Sequence, residues 1–137
     1  MRQDQRSTCP ISSALELVGD RWTLLIIRDM MFAGKRRFRE FLQSEEAISS
    51  NVLADRLTML VRSDILRKDG DPTHAQKAVY SLTEKGVDLL PLLAALSAWS
   101  QKYDPTTRRP EAAELVRGGL KVLKQMELQL RRDHGLS

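Results

Sequence analysis

The sequence is poor in the residues that build disulfides, metal centres and many active sites. Its 137 residues include one cysteine, Cys9, and two histidines. An intrachain disulfide is therefore excluded, and a Cys/His metal site is disfavoured. The motifs GxGxxG, GxxxxGK[ST], HExxH and GxSxG are all absent. These absences predict a protein that is not an enzyme and holds neither a metal nor a cofactor.

Long apolar runs are also missing. No stretch reaches the roughly 18 apolar residues of a membrane span. The first ten residues, MRQDQRSTCP, lack the apolar centre of a secretory signal. We therefore expect a cytoplasmic protein with no membrane partner. A hydrophobic content of 42% permits one small domain with its own core. The net charge of +4 favours anionic partners only weakly.

The apolar spacing predicts a mainly α (α+β) fold. Helices are expected at 11–18, 21–33, 36–44 and 49–63, strands at 65–69 and 77–82, and a long helix at 84–103 that Pro91 kinks or breaks near 87–90. Two close helices followed by a hairpin predict a winged helix-turn-helix with a two-stranded β wing. Residues 1–103 would form the DNA-binding and dimerisation domain. Residues 104–137 would form a linker and an extra C-terminal helix, which Gly118 and Gly119 weaken by about 1 kcal/mol each.

The stretch AISSNVLADRLTMLVRSDILRK predicts the second helix of that motif. Its leucines share one side and are expected to pack on Trp22, Phe38 and Phe41. Its first turn carries short side chains that leave a DNA groove accessible. Ser49 is suited to cap the helix, and Ser50 to bond phosphate or a base edge. The residues on the outer side are predicted to bind DNA: Ser49, Ser50, Asn51, Val52, Asp55 and Arg56.

Individual roles follow from side-chain chemistry. Asn51 can pair with adenine through two hydrogen bonds, and Val52 can pack on a thymine methyl group. Arg56 either contacts DNA or pairs with a nearby carboxylate. Asp55 either accepts a hydrogen bond from cytosine N4 or holds Arg56 in position. The sequence leaves both alternatives open.

Basic side chains flank this helix. Arg36, Arg37 and Arg39 lie just before or on the first helix of the motif, and His74 and Lys77 lie in the wing. We predict that they bind phosphate, which gives affinity without base recognition. Residues 36–77 hold eight Lys/Arg against seven Asp/Glu. The prediction of phosphate binding therefore depends on where these basic residues lie and not on the net charge of the segment. The alternative is a solvated cluster of charged side chains.

Five motifs in order resemble the HxlR-type winged-helix transcriptional regulators, across roughly residues 9–103. They are Cys-Pro, Gly-x-x-Trp, Arg-Arg-Phe, Ile-Ser-x-x-x-Leu-x-x-Arg-Leu and Tyr-Ser-Leu-Thr-x-x-Gly. The resemblance implies a homodimer built from the N-terminal segment and the helix after the wing, bound to a palindromic DNA operator. The 69–77 wing would contact the backbone or minor groove. A winged helix that binds protein instead of DNA is the alternative function.

The resemblance also implies regulation. The cysteine matching Cys9 senses electrophiles or oxidants in some members, and a position at the start of a helix suits a reactive thiol. The alternative is a small packing residue in the dimer core. A small-molecule effector is a further hypothesis, with Met30, Met31, Trp99 and Tyr103 as pocket residues. Asp64 replaces the family's usual glycine at the end of the recognition helix, where aspartate tolerates left-handed geometry.

Overall fold

The computed structural model describes residues 7–70, 73, 77–107 and 109–137. The helices and strands are α1 Pro10–Val18, α2 Thr23–Ala33, α3 Phe38–Phe41, α4 Ser50–Arg62, β1 Leu66–Asp69, β2 Val79–Leu82, α5 Glu84–Val87, α6 Leu90–Tyr103 and α7 Pro110–Asp133. The mainly helical fold with one small sheet confirms the predicted winged helix-turn-helix.

Several boundaries differ from the predicted ones for local reasons. Helix α2 begins at Thr23 and not at 21, because the Asp20 carboxylate accepts from the backbone N–H groups of Trp22 and Thr23, both at 3.0 Å. Helix α3 covers only four residues. Gln43 and Ser44 bond three residues back, to Glu40 and Phe41, so the chain turns tightly and the predicted 36–44 helix was too long.

The core lies where α2, α3 and α4 meet. Leu53, Leu57 and Leu60 of α4 are buried, as is Phe41 of α3, while Trp22 and Phe38 pack partly buried against the same cluster. This confirms the predicted inner face of α4. Fixing these leucines in the core also fixes which face of the helix points outward.

The wing is a two-stranded antiparallel sheet in which Leu66 pairs with Leu82 and Asp69 with Val79. Both strands are shorter than predicted, since Lys77 and Ala78 lie outside β2. The outer edge of β2 is occupied within the chain. The Tyr80 N–H donates to the Arg36 carbonyl at 2.8 Å, and the Leu82 N–H donates to Nδ1 of His134 at 2.9 Å. The C-terminal segment therefore docks on the base of the wing.

Two helices, α5 and α6, follow the wing where a long helix with a kink or a break was expected. Thr83 caps α5, and the chain re-enters a helix at Leu90, so the predicted irregularity near 87–90 is present. Helix α7 packs along α6 and is interrupted at Gly119, whose φ of 59° and ψ of −146° are not helical. The predicted weakness at the glycine pair is thus a break. Within the described residues, no helix has the length and apolar character to cross a membrane.

Candidate nucleic-acid interface

The first turn of α4 lies uncovered on the surface. The Ser49 hydroxyl accepts from the Val52 N–H at 3.2 Å and caps the helix, as predicted. Ser49, Ser50, Asn51 and Asp55 are exposed, and Val52 is half-buried. No described part of the C-terminal segment lies over these side chains. A helix N-terminus with short polar side chains and free space in front of it can approach a DNA groove.

Arg56 is held in place by two carboxylates. Its Nε lies 3.1 Å from Oδ2 of Asp55, and one terminal nitrogen lies 3.5 Å from Oδ1 of Asp20. The hydrogen bond with Asp55 raises the pKa of Arg56, so the guanidinium stays charged. The pairing of Arg56 with a nearby carboxylate, one of the alternatives left open from sequence, is therefore present, and the DNA contacts of Asp55 and Arg56 stay predictions.

Asp20 links the start of α2 to α4. Burial raises the pKa of Asp20, but hydrogen bonds from Thr23 and Trp22 and the charge of Arg56 outweigh this, so the pKa is lowered overall. The carboxylate is therefore ionised at neutral pH, and it both accepts from the Trp22 and Thr23 N–H groups and pairs with Arg56. Sequence reasoning missed this contact because 36 positions separate Asp20 from Arg56.

Arg21 is a second residue that sequence reasoning missed. Its guanidinium carbon lies 5.1 Å from the centre of the Trp22 ring, and its side chain is exposed. Arg21 and Trp22 share with the front of α4 a shallow hollow of about 460 Å³. A cation so close to Asn51 and Val52 is well situated for a phosphate beside the bases they would read. The sequence feature that could have identified Arg21 is its position next to Trp22 in the Gly-x-x-Trp motif.

The three arginines around α3 have different surroundings. Arg37 and Arg39 are exposed. Arg36 is half-buried: its Nε donates to the Tyr80 carbonyl at 3.0 Å, a terminal nitrogen donates to the Asp133 carbonyl at 3.1 Å, and the other donates to the Ser81 hydroxyl. Arg36 thus joins α3, β2 and the end of α7, while Arg37 and Arg39 have solvent-facing side chains available for phosphate.

The wing tip is only partly described. Lys77 is exposed two residues before β2. His74 lies outside the described residues, so its predicted role stays a prediction. Gly70 has a φ of 116°, a conformation that suits glycine, at the end of β1. The described part of the wing therefore offers three exposed basic side chains, Arg67, Lys68 and Lys77, of which Arg67 pairs with Asp69.

Cys9 and several apolar side chains are exposed away from α4. Cys9 is the residue just before α1, its backbone N–H donates to the Ser7 hydroxyl at 2.9 Å, and Pro10 opens the helix. The exposed large apolar side chains occur on α1, α6 and α7: Ile11, Leu15, Leu92, Leu96, Trp99, Tyr103, Val116, Leu120 and Leu128. Among the described residues, no group of three or more His, Cys, Asp or Glu side chains could hold a metal ion.

A family profile for the HxlR-like helix-turn-helix matches residues 17–108. This chain belongs to the HxlR-like family. The matched region runs from α1 to the linker after α6, so it contains the whole winged helix-turn-helix and ends before α7. Members of this family are transcriptional regulators that bind DNA through the helix-turn-helix, and they are not enzymes.

Individual HxlR-like relatives agree with that assignment. The transcriptional regulator YodB of Bacillus subtilis is 36% identical over 96 residues, 69% of this chain and 85% of YodB. The regulator Rv3095 of Mycobacterium tuberculosis is 40% identical over 101 residues, 74% of this chain and 61% of Rv3095. The chain is thus a DNA-binding transcriptional regulator of the HxlR type.

Solved structures show the same architecture. The reduced form of YodB from B. subtilis superposes with a TM-score of 0.58 at 33% identity, covering 74% of this chain and 100% of YodB. The reduced form of the redox regulator HypR has a TM-score of 0.60 at 28% identity, covering 69% of this chain and 92% of HypR. The fold is therefore that of other HxlR-like regulators.

Proposed function

We propose that this regulator binds a palindromic DNA operator as a homodimer, with α4 in the major groove and the 69–77 wing on the backbone or in the minor groove. The observation that carries the proposal is the exposed first turn of α4, with its leucines fixed in the core and its short polar side chains turned outward. Because DNA is in the cytoplasm of bacteria, where YodB and Rv3095 occur, we also propose a cytoplasmic location.

The roles divide into base and phosphate contacts. Asn51 and Val52 read adenine and a thymine methyl group, and Arg56 reads or clamps the neighbouring step while Asp55 and Asp20 orient it. Cations with exposed side chains contact phosphate: Arg21, Arg37, Arg39 and Lys77. Ser49 and Ser50 support these contacts from the helix start, and His74 from the wing. Arg36 acts indirectly, because its guanidinium already binds three groups within the chain.

Dimerisation is supported by the exposed apolar surface. Ile11 and Leu15 on α1 are 71% and 59% exposed, and Trp99 and Tyr103 on α6 are 69% and 68% exposed. Apolar surface of this extent on a regulator is typical of a protein interface. Pairing through α1 and α6 sets two copies of α4 about one helical turn of DNA apart.

Cys9 is proposed as a sensor of oxidants or electrophiles. YodB has been solved in a reduced form, with quinone bound and after diamide treatment, and HypR in reduced and oxidised forms. In this chain the thiol is exposed at the start of α1, on the same helix as the proposed dimer surface. Its modification would therefore alter the pairing of two recognition helices.

The relatives, being transcriptional regulators, give no support to a winged helix that binds only protein.

The deciding experiment is selection of preferred DNA from a random pool, for the wild type and for Asn51→Ala. The wild type should enrich an inverted repeat. Asn51→Ala should lose preference at one base pair per half-site, costing about 1–3 kcal/mol there. Repeating the selection after treatment with diamide, with Cys9→Ser as control, tests the sensor. An unchanged preferred site for Asn51→Ala would refute the base-reading role, and failure to enrich any sequence would refute the proposed function.

A further inference from the structure

A cavity of about 750 Å³ lies between α2, α6 and the chain that leads into α7. This volume falls within the roughly 300–1,000 Å³ typical of small-molecule sites. Leucine and phenylalanine side chains form its apolar part, including Leu25, Phe32, Leu93 and Leu115, and polar or charged side chains form most of the remainder. The residues suggested from sequence for a pocket lie elsewhere: Met30 and Met31 are in the core, and Trp99 and Tyr103 point outward. Arg109 and Leu115 lie beyond the region that the family profile matches.

The polar rim of the cavity has acidic groups that are already satisfied. Arg28 donates to both oxygens of Glu46, at 2.7 and 2.8 Å, and to Oδ1 of Asp29 at 2.8 Å. The Ser44 hydroxyl also donates to Glu46. The hydrogen bonds from Arg28 lower the pKa of Glu46 to about 2, despite partial burial that opposes the shift. A bound cation would therefore have to displace Arg28 from these carboxylates.

The same rim has cations with unused donors. Lys35 has three N–H donors, and among the described residues its ammonium contacts one acceptor, Oδ2 of Asp29, at 3.3 Å. Arg109 has five donors and pairs with Glu45, and both side chains of that pair are more than 60% exposed. An exposed ion pair of this kind contributes little and opens readily. The rim is therefore better suited to an added anion than to an added cation.

The cavity also contacts the turn of the helix-turn-helix. Gln43, Glu45 and Glu46 line it, and all three belong to the connection between α3 and α4. Ala47 in that connection has a φ of 59°, which is strained for a residue other than glycine. Glu46 is tied to Arg28 of α2, on the opposite side of the rim. A ligand held between these groups contacts the segment that sets the position of α4.

We propose that this cavity binds an amphipathic carboxylate, with its apolar body against α2 and α6 and its carboxylate on Lys35 and Arg109. Binding rearranges the Glu45–Glu46 turn and so changes operator affinity. This inference deepens the proposed function. The effect on operator affinity rests on the proposed function, whereas the binding site itself does not. Two residues that line the cavity, Arg109 and Leu115, lie in the extension after α6.

Calorimetry on the full chain tests the site with three probes of equal length: octanoate, octanamide and octylamine. Octanoate should bind at least tenfold more tightly than either of the others. Lys35→Gln should weaken octanoate binding at least fivefold and leave octanamide binding unchanged. Lys102→Gln, which removes an exposed lysine of α6 beside Tyr103, is the matched control and should change nothing. If Lys35→Gln fails to fold, Arg109→Gln is the second variant, with the same expectation.

Equal binding of the three probes, no binding of any of them, or octanoate binding unaffected in both variants would overturn the assignment. A second measurement follows operator affinity by fluorescence anisotropy, which should change at least threefold with saturating octanoate. By linkage, operator DNA must change the Kd for octanoate by the same factor. Octanoate binding without any operator would refute the proposed function and leave the site intact. Operator binding without octanoate binding would refute the site alone. Octanoate binding without an effect on DNA would refute the coupling.

Discussion

Two arginines that are adjacent in sequence have different roles in this protein. Arg36 and Arg37 are adjacent in sequence, and both are predicted from sequence to bind phosphate. In the structure Arg36 donates to Tyr80, Ser81 and Asp133, at the base of the wing, whereas Arg37 is exposed. The partners of Arg36 lie 44 to 97 positions away in the sequence. No local pattern could therefore have separated the two roles.

Alanine substitution should separate these roles experimentally. Arg36→Ala should lower the free energy of unfolding by about 2 kcal/mol, because it leaves several buried or half-buried acceptors without their charged donor. Arg37→Ala should change the free energy of unfolding by no more than about 0.5 kcal/mol. It should weaken binding to every DNA sequence and reduce the slope of log K against log salt concentration by about one per protomer. Urea denaturation and DNA titrations at several salt concentrations provide the measurements. Equal losses of stability in the two variants would contradict the distinction.

His134 is a buried titratable residue that should give the protein a pH-dependent stability. It is 3% exposed, and its Nδ1 accepts the Leu82 N–H. Burial, with the charges of Arg36 and Arg67 and against that of Asp133, lowers the pKa of His134 to about 4. The unfolded chain binds this proton near pH 6.5. The stabilisation is therefore complete above pH 6.5 and is lost as the pH falls from 6.5 to 4.

A comparison with His134→Gln checks this pH dependence. Glutamine keeps an acceptor for Leu82 but does not titrate. Between pH 7 and pH 4, the free energy of unfolding should fall for the wild type by on the order of 3 kcal/mol more than for the variant. Urea denaturation across this range gives the two curves. Parallel pH profiles would show that His134 is not the responsible group.

At the scale of single elements, the recognition helix was the most predictable part of the molecule. Its cap at Ser49 and its leucine spacing are local signals, and both are confirmed. Asp64 also has the left-handed φ of 61° that its position after the helix suggested. The wing and α3 were predicted too long, because tight turns and partners distant in sequence set their ends. The contact between Asp20 and Arg56 could not be predicted either, because these two residues are also distant in sequence.

Asp64 offers a direct test of this local geometry. Asp64→Gly should raise the free energy of unfolding by about 0.5 kcal/mol, since glycine adopts a positive φ without the steric cost borne by other residues. Asp88→Gly is the matched control: Asp88 is exposed, with a φ of −65°, and should lose about 0.5–1 kcal/mol through the entropy of the unfolded chain. Thermal and urea unfolding report both effects. A loss of stability in Asp64→Gly would mean that the aspartate side chain itself is needed.

At the scale of the whole molecule, the apolar surface on α1, α6 and α7 has to be covered for the proposed function to operate. The sequence of α7 has many apolar residues at helical spacing. The structure divides them: Leu115 and Leu130 are buried within the chain, while Val116 and Leu120 remain exposed. The break at Gly119 separates Leu115 and Val116 from Leu120 and Leu130, so each half of the helix has one buried and one exposed member of this set. Such a division was not foreseeable, because it depends on how α7 packs along α6.

Charge placed on this surface should separate the protomers. The double variant Ile11→Glu and Leu15→Glu should be monomeric at micromolar concentration, since both side chains are more than half exposed in the single chain and carboxylates in an apolar interface are costly. Its operator affinity should fall at least tenfold while its fold is retained. Sedimentation measures the oligomeric state, and circular dichroism shows whether the fold is retained. An unchanged dimer would show that Ile11 and Leu15 do not belong to the interface.

The contacts on the outer side of β2 have a consequence for self-association. A two-stranded wing ordinarily presents two free strand edges, each able to recruit an extended segment from another molecule. Here the outward N–H groups of Tyr80 and Leu82 are occupied by Arg36 and His134. Strand addition on that side would first require both the Arg36 segment and the C-terminal residues to detach, so this edge of the wing is protected against pairing with a strand of another molecule.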